Sequence, residues 1–192
     1  MNKRVLIVGV GGIGSYLVPM LAKTEQFNLW VADPDTVEEK NICCQNFDSD
    51  DLGLHKVTSM KVKHGVSGDK YEILTAMQIE NYDLVVCCAD NLAVRRLIYS
   101  QGFGDNCKTQ WLDLRAQGRN GALISYLIDP KLSNTFLTGP DGSFSCQGED
   151  FSITKDKSKI HWTHVAIAGI GAQWIMRWNS GEQTHDKMVI NV

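Results

Sequence analysis

The stretch Arg4-Val-Leu-Ile-Val-Gly-Val-Gly-Gly-Ile-Gly-Ser15 decides the fold of this chain. Residues 5–8 are an unbroken apolar run, which is typical of a parallel strand covered on both faces. The glycines that follow have the spacing G-x-G-x-x-G with one addition, at Gly9, Gly11, Gly12 and Gly14. In such a turn one glycine bends the chain, one lets the backbone approach a phosphate, and one lets the next helix pack on the strand. The stretch therefore predicts a strand, a phosphate-binding turn and a helix at about 13–23, whose N-terminal N–H groups attract an anion.

An acidic residue stands where a dinucleotide-binding unit usually holds a ribose. Residues 28–32 have the pattern of a second strand, and Asp33 follows it directly. The separation from the glycine turn is the one at which a carboxylate meets a ribose hydroxyl in such units. Glycines in a turn can also serve tight packing alone. The strand before them, the helix after them and Asp33 together predict a nucleotide site.

Composition narrows the class of protein. The length of 192 residues suits one well-buried domain, and the net charge of −3 predicts no nucleic-acid partner. No apolar run approaches the roughly 20 residues of a membrane span, and no signal-peptide cleavage site follows the N-terminus. We therefore expect a single domain over 1–192 in the cytoplasm, with no membrane partner. The six cysteines form no C-x-x-C repeat, so neither a disulfide framework nor a cysteine zinc site is predicted.

Strand and helix patterns alternate along the rest of the chain. Predicted strands lie at 70–76, 82–89, 110–114, 122–128 and 187–191, and predicted helices at 53–64, 90–99 and 161–179. A polar loop is predicted at 36–40. This order predicts a Rossmann-like, doubly wound α/β fold with a mostly parallel sheet and additional antiparallel strands in the C-terminal half. The polar stretch 130–160 predicts a mobile crossover loop. The helix at 161–179 is apolar on most faces and contains three tryptophans, so we expect it to form the interface of a homodimer.

Two polar residues have both a structural and a chemical interpretation. In a doubly wound fold the ligand binds beyond the carboxyl ends of the strands, where Asp33 and Asp90 both fall. Asp90 either caps the following helix or holds Mg²⁺ on a triphosphate, a role that suits a carboxylate with open coordination. Lys56 is either a solvated helix residue or a cation for phosphates.

Five motifs occur in order along the chain: G-x-G-G-x-G-S at 9–15, D-x-D at 33–35, N-x-x-x-Q at 41–45, G-x-x-K at 53–56 and D-N-x-x-x-R at 90–95. With these motifs the sequence resembles the ThiF/MoeB/HesA family of adenylating proteins, which are related to ubiquitin-activating enzymes. The resemblance extends over essentially the whole chain. The compact length, with Trp-Leu-Asp at 111–113 and Ser-Cys at 145–146, is most similar to the short ThiF-like proteins of plasmids and phages.

The resemblance implies ATP–Mg²⁺ chemistry. Proteins of this family transfer AMP to the C-terminal carboxylate of a small ubiquitin-like or sulfur-carrier protein and release pyrophosphate. By position, the glycine turn would hold phosphates, Asp33 the ribose and Asp90 the magnesium ion. Asn41 and Lys56 would lie at the phosphates. The same motifs supply the remaining nucleotide-binding candidates, which are Asp35, Gln45 and Asn91.

One position departs from the family pattern. Family members usually have arginine in N-x-x-R-Q and use it on the triphosphate, but here the residue is Cys44. A thiol cannot give the bidentate charged hydrogen bonds of a guanidinium. Either Arg115, Arg119 or a residue of a partner subunit compensates, or the protein binds ATP and adenylates poorly. Arg115 therefore joins Asp90 and Lys56 among the catalytic candidates.

Cys146 lies in the long loop before the last helix, where sulfur-transferring and thioester-forming relatives carry a reactive cysteine. It is thus a catalytic candidate, with an ordinary loop cysteine as the alternative. His161 and His164 stand one turn apart, but no acidic residues nearby support a metal site. Two other functions stay open. One is an NAD-dependent oxidoreductase, which shares the glycine turn and Asp33, and the other is a nucleotide-binding protein without catalysis.

Overall fold

A computed structural model of the chain describes residues 1–70, 75–101, 109–137 and 159–192. Its strands are β1 (Lys3–Val8), β2 (Phe27–Ala32), β3 (Ser67–Asp69), β4 (Leu84–Cys87), β5 (Gln110–Gln117), β6 (Asn120–Ser125) and β7 (Lys187–Asn191). Its helices are α1 (Gly14–Ala22), α2 (Glu39–Ile42), α3 (Lys56–His64), α4 (Ala76–Ile79), α5 (Leu92–Gln101), α6 (Pro130–Phe136) and α7 (Thr163–Asn179), with a 3-10 turn at Ser49–Asp51.

The strands form one seven-stranded sheet in the order β3-β2-β1-β4-β5-β6-β7. Neighbours from β3 through β5 pair in parallel, whereas β6 and β7 pair antiparallel. The predicted doubly wound fold with antiparallel strands in the C-terminal half is confirmed. Strand order reverses at β1, which lies between β2 and β4, and Val8 pairs with both Ala32 and Cys87. The carboxyl ends of these three strands therefore lie level, at the place where such sheets bind ligands.

The apolar run of β1 is buried on both faces of the sheet. Val5 and Ile7 pack in one core with side chains of α1 and α7, and Leu6 and Val8 pack in a second core with side chains of α5. Burying a side chain of this kind stabilises the fold by about 1.5–3 kcal/mol. A strand covered on both sides has no polar face, which explains why the sequence here does not alternate.

Three predicted segments differ from the structure. The third strand lies at Ser67–Asp69 rather than at 70–76; α4 begins at Ala76, and residues 71–74 lie outside the described part. The loop predicted at 36–40 contains the start of α2. The predicted crossover loop begins with α6, because Asp129 accepts a hydrogen bond from the backbone of Lys131 at 2.8 Å and Pro130 suits the first helical position. The rest of that loop, 138–158, lies outside the described residues.

The tryptophans of α7 do not support the reason given for a dimer interface. Trp174 and Trp178 are 4% and 7% exposed within the single chain. The Trp174 indole N–H donates to the carbonyl of His185 at 2.9 Å, and the Trp178 indole donates to the side chain of Gln110. Trp162, the third tryptophan of the predicted helix, lies just before α7 and is exposed. The domain thus covers more of this helix than the sequence predicted, and the homodimer stays a prediction.

Among the described residues, no helix has both the length and the apolar character that a membrane crossing requires.

Candidate functional site

The glycine turn joins β1 to α1 and packs tightly on β4. Gly9 has a φ of +87°, and a Cβ there would lie 2.7 Å from the backbone nitrogen of Ala89. A Cβ at Gly14 would overlap the carbonyl oxygen of Gly9. These two glycines are therefore required by the strand-to-helix packing itself. Gly11 differs, because a Cβ at that position would meet only the side-chain amide of Gln45, at 3.8 Å.

Helix α1 presents its N-terminus at this turn. Its N-cap residue, Ile13, makes no capping hydrogen bond through its side chain, and no acidic residue lies in its first turn. The positive end of the helix dipole is thus left for an anion that comes from outside the chain. Ser15 fixes the first turn to the segment after α2. Its Oγ accepts from the backbone N–H of Asn46 at 3.0 Å, and the Asn46 amide donates to the Ser15 carbonyl at 3.2 Å.

Asp33 holds the glycine turn in place. Its Oδ2 accepts the backbone N–H of Val10 at 2.7 Å, and its Oδ1 accepts the backbone N–H of Asp35 at 2.9 Å. A carboxylate has about four acceptor positions, so two are still available for ribose hydroxyls. Asp33 is only 5% exposed, and burial raises its pKa above the usual range although Lys56 and the two backbone N–H groups oppose that shift.

Lys56 and Asp35 form an ion pair beside Asp33. The Lys56 Nζ lies 2.8 Å from Asp35 Oδ2, and the lysine side chain is 7% exposed while the aspartate side chain is 63% exposed. The backbone N–H of Lys56 also donates to the Asp35 carbonyl at 3.0 Å. The predicted residues Asp33, Asp35 and Lys56 are therefore brought together. The aliphatic stem of Lys56 is buried and its charge is held at the edge of the site.

The segment after α2 lies against the glycine turn. Asn41 Oδ1 accepts from the backbone of Glu38 at 2.8 Å, and the Asn41 carbonyl accepts from the backbone of Gln45 at 2.8 Å. Asn41 thus shapes the short helix, which leaves its NH₂ group as the part of the side chain that can donate to a phosphate. Gln45 Oε1 is buried and has no hydrogen-bond partner among the described residues. A buried acceptor beside Gly11 suits a ligand hydroxyl or amino group.

Asp90 comes directly after Ala89, a residue just beyond the end of β4 that packs against Gly9. Asn91 Oδ1 accepts the backbone N–H of Ala93 at 2.8 Å. Asn91 thus caps α5, and its predicted nucleotide contact competes with this capping role. The magnesium role of Asp90 stays a prediction. Asp90 is exposed at the carboxyl end of β4.

The described side chains do not form a metal site by themselves. In the part of the chain that the structure describes, no three His, Cys, Asp or Glu side chains form a group that could ligate a metal ion. An Mg²⁺ ion at Asp90 would need phosphate oxygens and water as its other ligands, which is the usual arrangement for this ion. The chemistry of Asp90 fits that role.

Cys44 lies between α2 and the start of α1. Its Sγ is 3.9 Å from the carbonyl of Lys40, and its backbone hydrogen-bonds with the imidazole of His164. Burial lowers the pKa of His164, although that hydrogen bond and one to the backbone of His161 oppose the shift. Burial, and to a lesser degree Cys44, raises the pKa of Tyr16. The ring of His164 packs 5.6 Å from that of Tyr16, so His164 is a packed core residue.

Arg115 has partners that the sequence did not indicate. Its Nη2 lies 2.6 Å from Asp113 Oδ2, and its Nη1 donates to the carbonyl of Phe136 at 2.7 Å. Asp113 is fully buried, and it also accepts from Arg95 Nε at 3.1 Å and from the Tyr99 hydroxyl at 3.0 Å. The guanidinium therefore neutralises a buried carboxylate and caps the end of α6. The role of Arg115 on a triphosphate stays a prediction.

Asp113 was the signal that could have revealed this cluster, since a charged residue within the apolar strand β5 requires a partner. The remaining catalytic candidate, Cys146, lies outside the described residues.

Solved structures support the fold. Over 100% of this chain and 61% of the other, the structure resembles the crystal structure of E. coli MccB with AMPCPP and selenomethionyl MccA, with a TM-score of 0.68 and 18% identity. It resembles the crystal structure of PaaA with a TM-score of 0.66 and 14% identity, over 99% of this chain and 61% of that one. At these identities the likeness shows the fold alone.

Sequence comparison extends the likeness to proteins with assigned activities. The chain is 35% identical over 105 residues to the molybdopterin-synthase adenylyltransferase of Escherichia coli (strain K12). The aligned region covers 49% of this chain and 42% of the relative. It is also 32% identical over 113 residues to the adenylyltransferase and sulfurtransferase UBA4 of Yarrowia lipolytica. That aligned region covers 50% of this chain and 27% of the relative. The matched part thus spans less than half the length of these curated relatives.

The family assignment rests on a longer match. The model of the ThiF family matches residues 1–190 of the chain. Together with the strand order and the level carboxyl ends of β1, β2 and β4, this match shows that the chain belongs to the ThiF family.

Proposed function

We propose that this protein binds ATP–Mg²⁺ at the glycine turn and transfers AMP to the C-terminal carboxylate of a small ubiquitin-like or sulfur-carrier-like protein. The observation that carries the proposal is the continuous set of contacts at the carboxyl ends of the central strands. Val10 of the glycine turn bonds to Asp33, Asp33 bonds to Asp35, and Asp35 pairs with Lys56. In a ThiF-family chain, this set supports the binding of a nucleoside triphosphate.

The reaction is a nucleotidyl transfer. A carboxylate oxygen of the acceptor attacks the α-phosphorus of ATP, the bond from that phosphorus to the bridging oxygen of the β-phosphate breaks, and pyrophosphate leaves. Such reactions depend on positioning and on neutralising charge rather than on covalent chemistry by the protein. The N-terminus of α1 and the Lys56 ammonium oppose the phosphate charge, and Asp33 orients the ribose. Bound Mg²⁺ would neutralise the β- and γ-phosphates from the side of Asp90.

The acceptor is proposed from the relatives. Molybdopterin-synthase adenylyltransferase and UBA4 are named for adenylyl transfer, and the MccB crystal contains MccA beside AMPCPP. We therefore propose a partner that presents a C-terminal carboxylate in an extended tail. We also propose a cytoplasmic homodimer, and sedimentation at micromolar concentration is the direct check on the dimer.

Calorimetry and isotope exchange together test the activity. ATP–Mg²⁺ is expected to bind and NAD is expected not to, which separates the proposal from an oxidoreductase. Exchange of labelled pyrophosphate into ATP should then depend on the acceptor. Lys56→Met is expected to reduce exchange at least tenfold, while Lys61→Met, an exposed lysine of the same helix, serves as the matched control. Binding of NAD in preference to ATP would refute the proposal.

A nucleotide-binding protein without catalysis is the second candidate, and Cys44 and Arg115 favour it. Cys44 stands where the family arginine would be, and the proposed substitute, Arg115, is bound to Asp113 and to the carbonyl of Phe136. Tight ATP binding without exchange, over a panel of small proteins ending in Gly-Gly, would support this candidate.

A further inference from the structure

The sequence contains two pairs of adjacent cysteines, and the structure gives them opposite geometries. Cys87 and Cys88 lie at the end of β4 and point to opposite faces of the sheet, one into each core. Cys43 and Cys44 follow α2, are half-buried, and are both thiols rather than members of a disulfide. Only the second pair has both sulfurs on one side of the backbone among the residues that the structure describes.

The two sulfurs of this second pair converge on one atom. Cys43 Sγ lies 3.3 Å and Cys44 Sγ 3.9 Å from the same carbonyl oxygen, that of Lys40. The sulfurs are therefore within about 7 Å of each other, the sum of these distances. Neighbouring side chains on a helical turn usually diverge and do not face each other. Here both thiols reach the same carbonyl through the contacts that helical side chains make with residues three and four positions earlier, which keeps the two thiols on one side of the turn.

The number of donors limits what this pair can bind. Structural zinc requires four ligands, and no third His, Cys, Asp or Glu joins the pair among the described residues. Thiolates select soft acceptors such as Cu(I). We propose that Cys43 and Cys44 form a dithiol site for a soft acceptor that two thiolates satisfy, namely Cu(I) or a trivalent arsenical. A monosubstituted arsenical RAs(OH)₂ forms two As–S bonds, both thiol protons leave with the hydroxyl groups as two water molecules, and no electrons are transferred.

Occupancy of the dithiol site is coupled to the nucleotide site, a step that rests on the proposed function. The next two residues reach the glycine turn, since the Gln45 amide lies beside Gly11 and Asn46 hydrogen-bonds to Ser15. Cys43 is in the helical conformation, with φ −72° and ψ −23°. Drawing both sulfurs onto one atom changes the backbone at Cys43 and Cys44 and moves Gln45 away from Gly11. A thiophilic ligand therefore weakens ATP binding.

Mass spectrometry of the folded protein treated with phenylarsine oxide tests the site. We expect one adduct per chain on the tryptic peptide 41–56, lost in Cys43→Ser and in Cys44→Ser. Peptide 71–95, which carries the buried pair, provides the internal control and should stay unmodified until the protein is unfolded. Competition for Cu(I) under reducing, anaerobic conditions then shows whether the metal uses the same two thiols. An adduct that survives in both serine variants, or that forms on peptide 71–95, would overturn the proposal.

Calorimetry with ATP–Mg²⁺ tests the coupling separately. Treatment with phenylarsine oxide is expected to weaken ATP binding at least fivefold in the wild type and to leave the Cys43→Ser/Cys44→Ser protein unchanged. An equal loss in both proteins would overturn the coupling. If the adduct forms on peptide 41–56 but no preparation binds ATP, the dithiol site stands and the proposed function fails.

Discussion

Replacing Asp33 by alanine should produce two separable losses, because the structure gives this carboxylate two tasks. It accepts the backbone N–H groups of Val10 and Asp35, and its remaining lone pairs are proposed to accept ribose hydroxyls. The first task concerns the shape of the glycine turn with or without ligand. The second exists only when nucleotide is bound.

The magnitudes follow from the surroundings of Asp33. The buried N–H of Val10 costs about 1–3 kcal/mol when it loses its acceptor, whereas the N–H of the exposed Asp35 can turn to water. The free energy of unfolding should therefore fall by roughly 1–3 kcal/mol. A hydrogen bond to a charged group contributes about 1.5–3 kcal/mol, which corresponds to roughly 10- to 150-fold in affinity for each ribose hydroxyl. Because Asp33 is only 5% exposed, water cannot easily replace its contacts to Val10 and to a ribose.

A thermodynamic cycle that combines the Asp33→Ala variant with deoxy nucleotides separates the two tasks. ATP, 2′-deoxy-ATP and 3′-deoxy-ATP are titrated into wild type and Asp33→Ala by calorimetry, and thermal unfolding is measured in parallel. If Asp33 holds the ribose, removing a hydroxyl weakens binding to the wild type by about tenfold or more and barely affects the variant. Asp50→Ala removes an exposed carboxylate and provides the control.

A folded Asp33→Ala protein that discriminates between ATP and both deoxy nucleotides as well as the wild type does would refute the ribose role of Asp33. Asp33 would then only anchor the glycine turn, and the ribose would be held elsewhere.

Four further outcomes are expected. Asp90→Asn should fold normally, since Asn91 caps α5, but should lower magnesium-dependent pyrophosphate exchange; wild-type exchange would remove Asp90 from the site. Cys44→Arg should raise ATP affinity or exchange, because a guanidinium adds a bidentate phosphate contact, and an unchanged variant would show that the charge is supplied from elsewhere. Asp113→Ala should lower the free energy of unfolding in urea by about 3–5 kcal/mol, since it leaves buried guanidinium charge uncompensated. Acidification should weaken ATP binding as Asp33 gains its proton; since burial raises that pKa, the loss should begin at a higher pH than for an ordinary aspartate, and a loss only below the ordinary range would contradict the assignment.

The parts of the site that the sequence predicted are those fixed by short-range patterns. The apolar strand, the glycine spacing and Asp33 lie within one strand–helix–strand unit, where each residue constrains its neighbours directly. The position of Asp90 followed equally well from the buried run of β4, whose residues are fully buried on both faces. Parallel strands bring their carboxyl ends to one edge of the sheet, so the strand order alone predicts that Asp33 and Asp90 lie at the same edge.

The parts that the sequence did not predict depend on long-range contacts. Asp113 meets Arg95 across 18 residues and Tyr99 across 14, and no local pattern pairs them. Strand β3 has only three residues and lies at the sheet edge, where Gly68 packs on Val31, so its short sequence carries no alternation. Helix α6 has a local start at Asp129 and Pro130, but its C-terminal end is held by Arg115, which is distant in the sequence.

Several motif residues of this family serve the fold as directly as they could serve chemistry. Asn91 caps α5, Asn41 closes α2, and Asp33 anchors the glycine turn, so all three would be retained even in a chain that had lost catalysis. Folding does not account equally for Gln45 and Lys56. The side-chain oxygen of Gln45 is buried beside the glycine turn without a partner among the described residues. Lys56 buries its aliphatic stem and places its ammonium against the exposed carboxylate of Asp35. Lys56 keeps its partner Asp35 and adds the positive charge that an anionic ligand would meet there. The unpaired oxygen of Gln45 costs stability until a donor from a ligand reaches it, so this residue carries the strongest argument that the site binds a polar ligand.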